Sequence, residues 1–159
     1  MALSTISKIL VPIDGSESSM RAANAAIELA RRYNEEPSPV QVIALHVIDI
    51  NPKFRLFSKY GFHYSEYEKE AQEAAQKGTA EWFPKIKEKA GRYNISVKSE
   101  VTDNSSASVV GEIVKFAEKE KVDLIVIGTR GQSEFEKLLI GSVTSGVSVY
   151  APCSVMIVK

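Results

Sequence analysis

Residues 123–145 read DLIVIGTRGQSEFEKLLIGSVTS, and three physical signals follow one another along that stretch. Leu124 to Ile127 is a short, unbroken apolar run rich in β-branched residues, as expected of a strand covered on both faces. It stops at a glycine turn, Gly128-Thr-Arg-Gly131, and after nine further residues a second glycine, Gly141, leads into Ser142, Thr144 and Ser145 and the start of a helix. Glycine in such turns reaches positive φ without a Cβ penalty and lets the backbone approach a ligand closely. The main-chain N–H groups of the second turn, the helix N-terminus and the three hydroxyls then converge as a phosphate site in outline. The plainer alternative is a pair of ordinary loop glycines followed by a serine cap. Arg130, inside the first turn, is open to two readings, a phosphate partner or a solvated loop arginine.

Working outward, the same strand-then-helix order recurs along the chain. Residues 8–13, KILVPI, form an apolar run ending at Asp14-Gly15-Ser16, with Pro12 marking the strand's exit. Ala22, Ala26, Leu29 and Tyr33 follow at helical spacing, with Ser16 as the N-cap and Glu17 placed against the helix dipole. Val40 to Ile48 is a second buried strand, and His46 within it reads as a core or near-core residue satisfied by one local hydrogen bond. Asp49 to Tyr64 carries Pro52, Gly61 and five aromatics without a period. A flap over a ligand, a partner surface and a long connection tucked onto the domain all fit it.

Residues 65–93 predict a long surface helix that Gly78 weakens and Pro84 kinks or interrupts. Residues 95–101 alternate as a half-buried strand, and Val110, Ile113, Val114 and Ala117 predict an amphipathic helix. Val155 to Val158 is a final strand. Five strands alternating with four helical stretches predict an α/β fold in which a five-stranded, mainly parallel open sheet carries helices on both faces, in a single domain over 1–159. Ligands of such sheets sit beyond the carboxyl ends of the strands, which makes Asp14 and Gly128 candidates for two lips of one crevice.

Composition narrows the function classes. The chain has 159 residues with 20 basic and 20 acidic side chains, so bulk charge gives no reason to bind nucleic acid or an anionic membrane. No apolar stretch approaches the roughly 18 to 20 residues of a membrane span, and the amino terminus lacks the pattern of a secretory signal. A single cysteine, Cys153, excludes an internal disulfide, and a cytoplasmic location is expected. Cys153 itself reads as a small buried hydrophobe.

The segments VPIDGSE, LHVID, IGTRG, GSVTS and APCSVMIV together resemble the universal stress protein family, and the resemblance spans nearly the whole chain. The family's nucleotide signature, Gly-x2-Gly-x9-Gly followed by Ser or Thr, is met by Gly128, Gly131, Gly141 and Ser142. The resemblance implies a Rossmann-like adenine-nucleotide binder, ATP or AMP, serving as a regulatory or stress-response module. It places Asp14 against the adenine with Pro12, Ile13 and the main chain at Val47, puts Ile127 and Gly128 beside the ribose, and gives the phosphates to Gly131, Gly141, Ser142, Val143 and Thr144. It also implies a homodimer paired through Val155 to Lys159, consistent with an apolar closing strand blunted by a single charge.

Two positions depart from the family pattern: Thr102-Asp103-Asn104-Ser105-Ser106 replaces a glycine-containing turn after strand 3, and Ser154 stands where a second proline is frequent. A slow ATP-hydrolysing or adenylyl-transferring enzyme is the rival from another class, and a dimeric interaction protein with only structural nucleotide is a third. The enzyme gains little from the sequence, which has no Gly-x4-Gly-Lys-Ser/Thr loop and only two histidines, His46 and His63. Acidic residues near the crevice, such as Asp14 and Asp49, could hold a divalent ion such as Mg²⁺ beside ATP phosphates, although no cage of oxygen ligands is visible.

Overall fold

The computed structural model describes residues 5–34, 38–50, 64–104, 108–129 and 140–159. Among them, strands β1 (Lys8–Pro12), β2 (Gln41–Ile48), β3 (Val97–Asp103), β4 (Leu124–Gly128) and β5 (Ser154–Val158) alternate with helices α1 (Glu17–Tyr33), α2 (Tyr64–Gly91), α3 (Val109–Glu120) and α4 (Ser142–Tyr150). The sheet order is β3-β2-β1-β4-β5, and every pairing is parallel, which sharpens the expected mainly parallel sheet.

The period of two along each strand decides the layering. Ile9, Val11, Val42, Ala44 and Val126 point to the face where Ala22, Ala26 and Ile27 of α1 and Phe83, Ile86 and Ala90 of α2 close one core. Leu10, Ile43, Leu45, Ile125 and Ile127 point the other way, onto Ile113 and Ala117 of α3 and Val147 of α4. Because both faces are covered, β1, β2 and β4 need apolar residues at successive positions, which is why they read as unbroken runs. The Oγ of Ser16 accepts the Ser19 N–H at 3.1 Å and that of Ser108 accepts the Gly111 N–H at 3.0 Å. Each such cap contributes about 1 kcal/mol to its helix.

Two expectations are corrected. The helix predicted over 65–93 runs unbroken through Pro84. The carbonyl that loses its donor there belongs to Ala80, and both Ala80 and Pro84 are exposed, so water can satisfy it while the opposite face stays packed. The third strand begins at Val97, two residues later than expected, because Asn94 adopts φ 56° and the Ile95 N–H returns to the Ala90 carbonyl at 3.0 Å to close the helix.

The amino ends of β1 and β4 are joined by Asp123, whose Oδ2 accepts the Ser7 N–H and Oγ–H at 2.8 Å each and the Lys8 N–H at 2.9 Å. Burial pushes this carboxyl up, but the bonds from Ser7 and Lys8 and the Lys8 charge outweigh it and hold the group below its ordinary value. Cys153 lies at the same end, just before β5, half-buried, and burial pushes its thiol up, so it is a poor nucleophile. The carboxyl ends of the strands lie at the opposite end of the sheet.

Candidate functional site

In the order β3-β2-β1-β4-β5 the chain steps from β1 to β2 and β3, then crosses back to place β4 on the other side of β1. The switch point therefore falls between the carboxyl ends of β1 and β4, where such sheets open a crevice. A cavity of about 320 Å³ lies there. It brings together Pro12, Ile13 and Asp14 from the exit of β1, Val47 from β2, Ile127 and Gly128 from β4, and Gly141, Ser142, Val143 and Thr144 from the start of α4. Arg130 and Gly131, the other two expected site residues, lie outside the described residues, as do residues 51–63 of the aromatic segment.

At the β4 side, Gly141 is the N-cap of α4 and makes no side-chain cap bond. Its own N–H donates to the Thr129 carbonyl at 2.7 Å, and the first helical bond runs from the Ser145 N–H to the Gly141 carbonyl at 2.9 Å. The N–H groups of Ser142, Val143 and Thr144 precede that first bond and have no helical acceptor, so the positive end of α4 opens on the cavity. The hydroxyl of Thr144 is engaged elsewhere: buried at 3% exposure, its Oγ1 donates to the Gly128 carbonyl at 2.6 Å and ties α4 to the end of β4. Thr144 thus offers the cavity its main chain rather than the hydroxyl donor expected from the sequence.

The glycines also differ from expectation. Gly141 has φ −58°, which any residue accepts, so positive φ is not its reason for being glycine. Gly128 is constrained by close approach, since an added Cβ would fall within 2.7 Å of the Ser18 carbonyl carbon at the start of α1. The positive φ, 82°, is found at Gly15, where a Cβ would also strike the Trp82 indole.

At the β1 and β2 side the cavity is acidic, with Asp14 and Asp49 on its wall. Asp14 Oδ1 accepts the Ser16 N–H at 3.0 Å and the Ser16 hydroxyl, the Asx-turn geometry that Asp-Gly-Ser favours. Behind the turn, on the other face of the sheet, His46 is half-buried with Nδ1 2.7 Å from the Ile13 carbonyl, so this nitrogen carries the proton and donates. Its ring meets Trp82 edge-on at 5.4 Å. Among the described residues no group of three or more His, Cys, Asp or Glu is placed to hold a metal ion, and no helix is long and apolar enough to cross a membrane.

Residues 5–159 match the sequence model of the universal stress protein family. The chain belongs to that family. Universal stress protein MJ0531 of Methanocaldococcus jannaschii is 37% identical over 153 residues, spanning 96% of this chain and 81% of its own length. Among solved structures, hypothetical protein MJ0577 superposes with a TM-score of 0.72 at 28% identity, covering 98% of this chain and 96% of its own. An Arabidopsis thaliana universal stress protein family member with AMP bound has the same fold, with a TM-score of 0.64 at 15% identity over 96% of this chain and 91% of its own.

The universal stress protein cavity is also lined by Ser19, Leu45, Asp49, Val109 and Ile113, most of which sequence reasoning did not place there. Leu45 shares a strand face with Val47, and Val109 and Ile113 sit one turn apart on α3, so periodicity marks all three as inward-facing without separating a cavity wall from a core. Ser19 donates to the Ser16 carbonyl at 2.9 Å and steadies the first turn of α1.

Proposed function

We propose that the cavity binds an adenine nucleotide, ATP or AMP, and that the chain acts as a nucleotide-dependent regulatory module of the stress response. The observation that carries this reading is the start of α4, where three main-chain N–H groups without helical acceptors open on the same cavity as the exits of β1 and β2. The phosphates lie against Gly141, Ser142, Val143 and Thr144, and the glycine signature of the sequence assigns Gly131 and Arg130 to the same end of the ligand. The ribose lies beside Ile127 and Gly128, and the base lies toward Pro12, Ile13, Asp14 and Val47. The apolar side chains of Ile13, Val47 and Ile127 suit a flat base and exclude water from it. That a protein of the same fold has AMP bound supports an adenine nucleotide as the ligand. When ATP is the ligand, Mg²⁺ accompanies its phosphates. The homodimer is proposed through β5.

The experiment is calorimetry with ATP on protein freed of endogenous ligand by unfolding and refolding. Ser142→Pro is the informative variant. Proline fits the first helical position and Gly141 at ψ 154° accepts a following proline, so the change removes both the main-chain N–H and the hydroxyl of Ser142 while keeping the helix. ATP affinity is expected to fall by about tenfold or more with the circular dichroism spectrum unchanged. A parent protein that binds neither ATP nor AMP overturns the proposal.

A further inference from the structure

The exit of β2 is held by a buried amide. Asn104, 3% exposed, accepts the Ile50 N–H on Oδ1 at 2.9 Å and donates from Nδ2 to Asp49 Oδ1 at 2.7 Å. Its main-chain N–H donates to the Ile48 carbonyl at 3.1 Å. The Ile50 N–H can face only the amide oxygen, which turns the NH₂ group toward Asp49 and fixes the assignment of the amide. A buried amide engaged at both ends loses most when one partner moves, so Asn104 holds Asp49 in one place.

Asp49 lines the cavity, and among the described residues its one hydrogen-bond partner is Asn104. Asp14, the other carboxylate on the wall, gives Oδ1 to Ser16. The two also differ in position. In the order β2-β1-β4, Asp49 follows the strand one step farther from β4 than the strand that Asp14 follows, a spacing of about 4.8 Å between neighbours. Asp49 is thus the carboxylate farther from the positive end of α4, at the base end of a ligand whose phosphates lie there.

We propose that Asp49, positioned by Asn104, is the acceptor that selects a purine bearing a 6-amino group over one bearing a 6-keto group. This rests on the nucleotide assignment above. A carboxylate takes a hydrogen bond from an amino donor and repels a keto oxygen, so the mismatch penalises the wrong base as well as favouring the right one.

The test compares ATP with ITP, which carries a keto group where ATP carries the amino group, by calorimetry on ligand-free protein. The parent is expected to bind ATP about tenfold or more tightly than ITP. In Asp49→Asn the new amide oxygen keeps the bond from Asn104 Nδ2 and its NH₂ group faces the cavity, so the preference is expected to vanish or invert. Asp49 is exposed, and the variant is isosteric, so the fold is kept. Asn104→Ser removes the donor to Asp49 and is expected to narrow the ATP to ITP ratio; a purely structural role would weaken both nucleotides alike and leave the ratio standing. Asp14→Ala is expected to weaken both by the same factor, since its carboxylate organises the turn. A parent that binds ATP and ITP equally, an Asp49→Asn variant that keeps the parent's ratio, or a ratio lost in Asp14→Ala alone overturns the inference while leaving nucleotide binding intact. A parent that binds neither overturns the nucleotide assignment, and this inference with it.

Discussion

At the amino end of the sheet, Asp123 accepts its hydrogen bonds from Ser7 and Lys8 only in the folded chain, so its titration is coupled to stability. The folded-state pKa lies below the unfolded value. Its contribution is therefore fully present above the unfolded pKa of about 3.9 and is lost as pH falls through the lower, folded value. Urea denaturation of the parent and of Asp123→Asn is expected to show a stability gap that holds from neutral pH to about pH 5 and closes below about pH 4. A gap that does not close in acid would show that the ionised form adds nothing beyond the amide. At the carboxyl end, Thr144 and Asn104 illustrate why polar roles are hard to read from sequence. Thr144 sits in a serine- and threonine-rich helix start that suggests hydroxyl donors to a ligand, yet its hydroxyl serves the Gly128 carbonyl. Asn104 sits in a polar loop sequence that suggests solvent, yet it is buried, because its partners Ile48, Asp49 and Ile50 lie more than fifty residues away in the chain.

Among the elements, α2 reaches the site from behind. Trp82, the chain's single tryptophan, lies where an added Cβ on Gly15 or on Gly78 would have to be. Gly78 therefore costs α2 some helix propensity but makes room for the indole, which supports the turn carrying Asp14. Gly15→Ala combines a φ of 82° with that collision, and a loss of about 2 kcal/mol or more is expected in urea denaturation followed by tryptophan emission. Gly91→Ala is the contrast: nothing lies within 4 Å of its added Cβ, and a change within about 0.5 kcal/mol is expected. Equal effects at the two glycines would remove the support role. The strands and helices themselves were legible because each carries one dominant signal. Buried parallel strands read as apolar runs, and α1 and α3 carry both a helical period and a serine cap. What periodicity could not supply is long-range placement: the hold of Asn104 on Asp49, the Trp82 wedge, and the solvent exposure that lets α2 pass through Pro84. The resemblance located ten of the cavity residues, from Pro12 to Thr144, because it reports position in the fold directly.

For the molecule as a whole, the two edges of the sheet are unlike. Edge strand β3 carries Lys98 and Glu100, paired at 3.1 Å, which blunt it against further strands. Edge strand β5, Ser154–Val158, carries no charge, and Met156 on it and Val149 and Tyr150 at the end of α4 are 39%, 70% and 70% exposed. An uncharged edge flanked by exposed apolar side chains favours association there, and antiparallel pairing of β5 with its copy gives the twofold symmetry usual for homodimers. The Val158 carbonyl accepts the Thr129 N–H at 3.1 Å, so Val158 turns its main chain toward β4 and Ile157, one residue earlier, turns its N–H outward. Ile157→Pro then removes a donor from the free edge without touching the bonds to β4. Light scattering at micromolar concentration is expected to give the parent twice the 17.5 kDa chain mass and the variant a single chain mass, with the same circular dichroism spectrum. A parent that scatters as one chain would leave β5 as a bare edge and defeat the pairing, whatever the variant does.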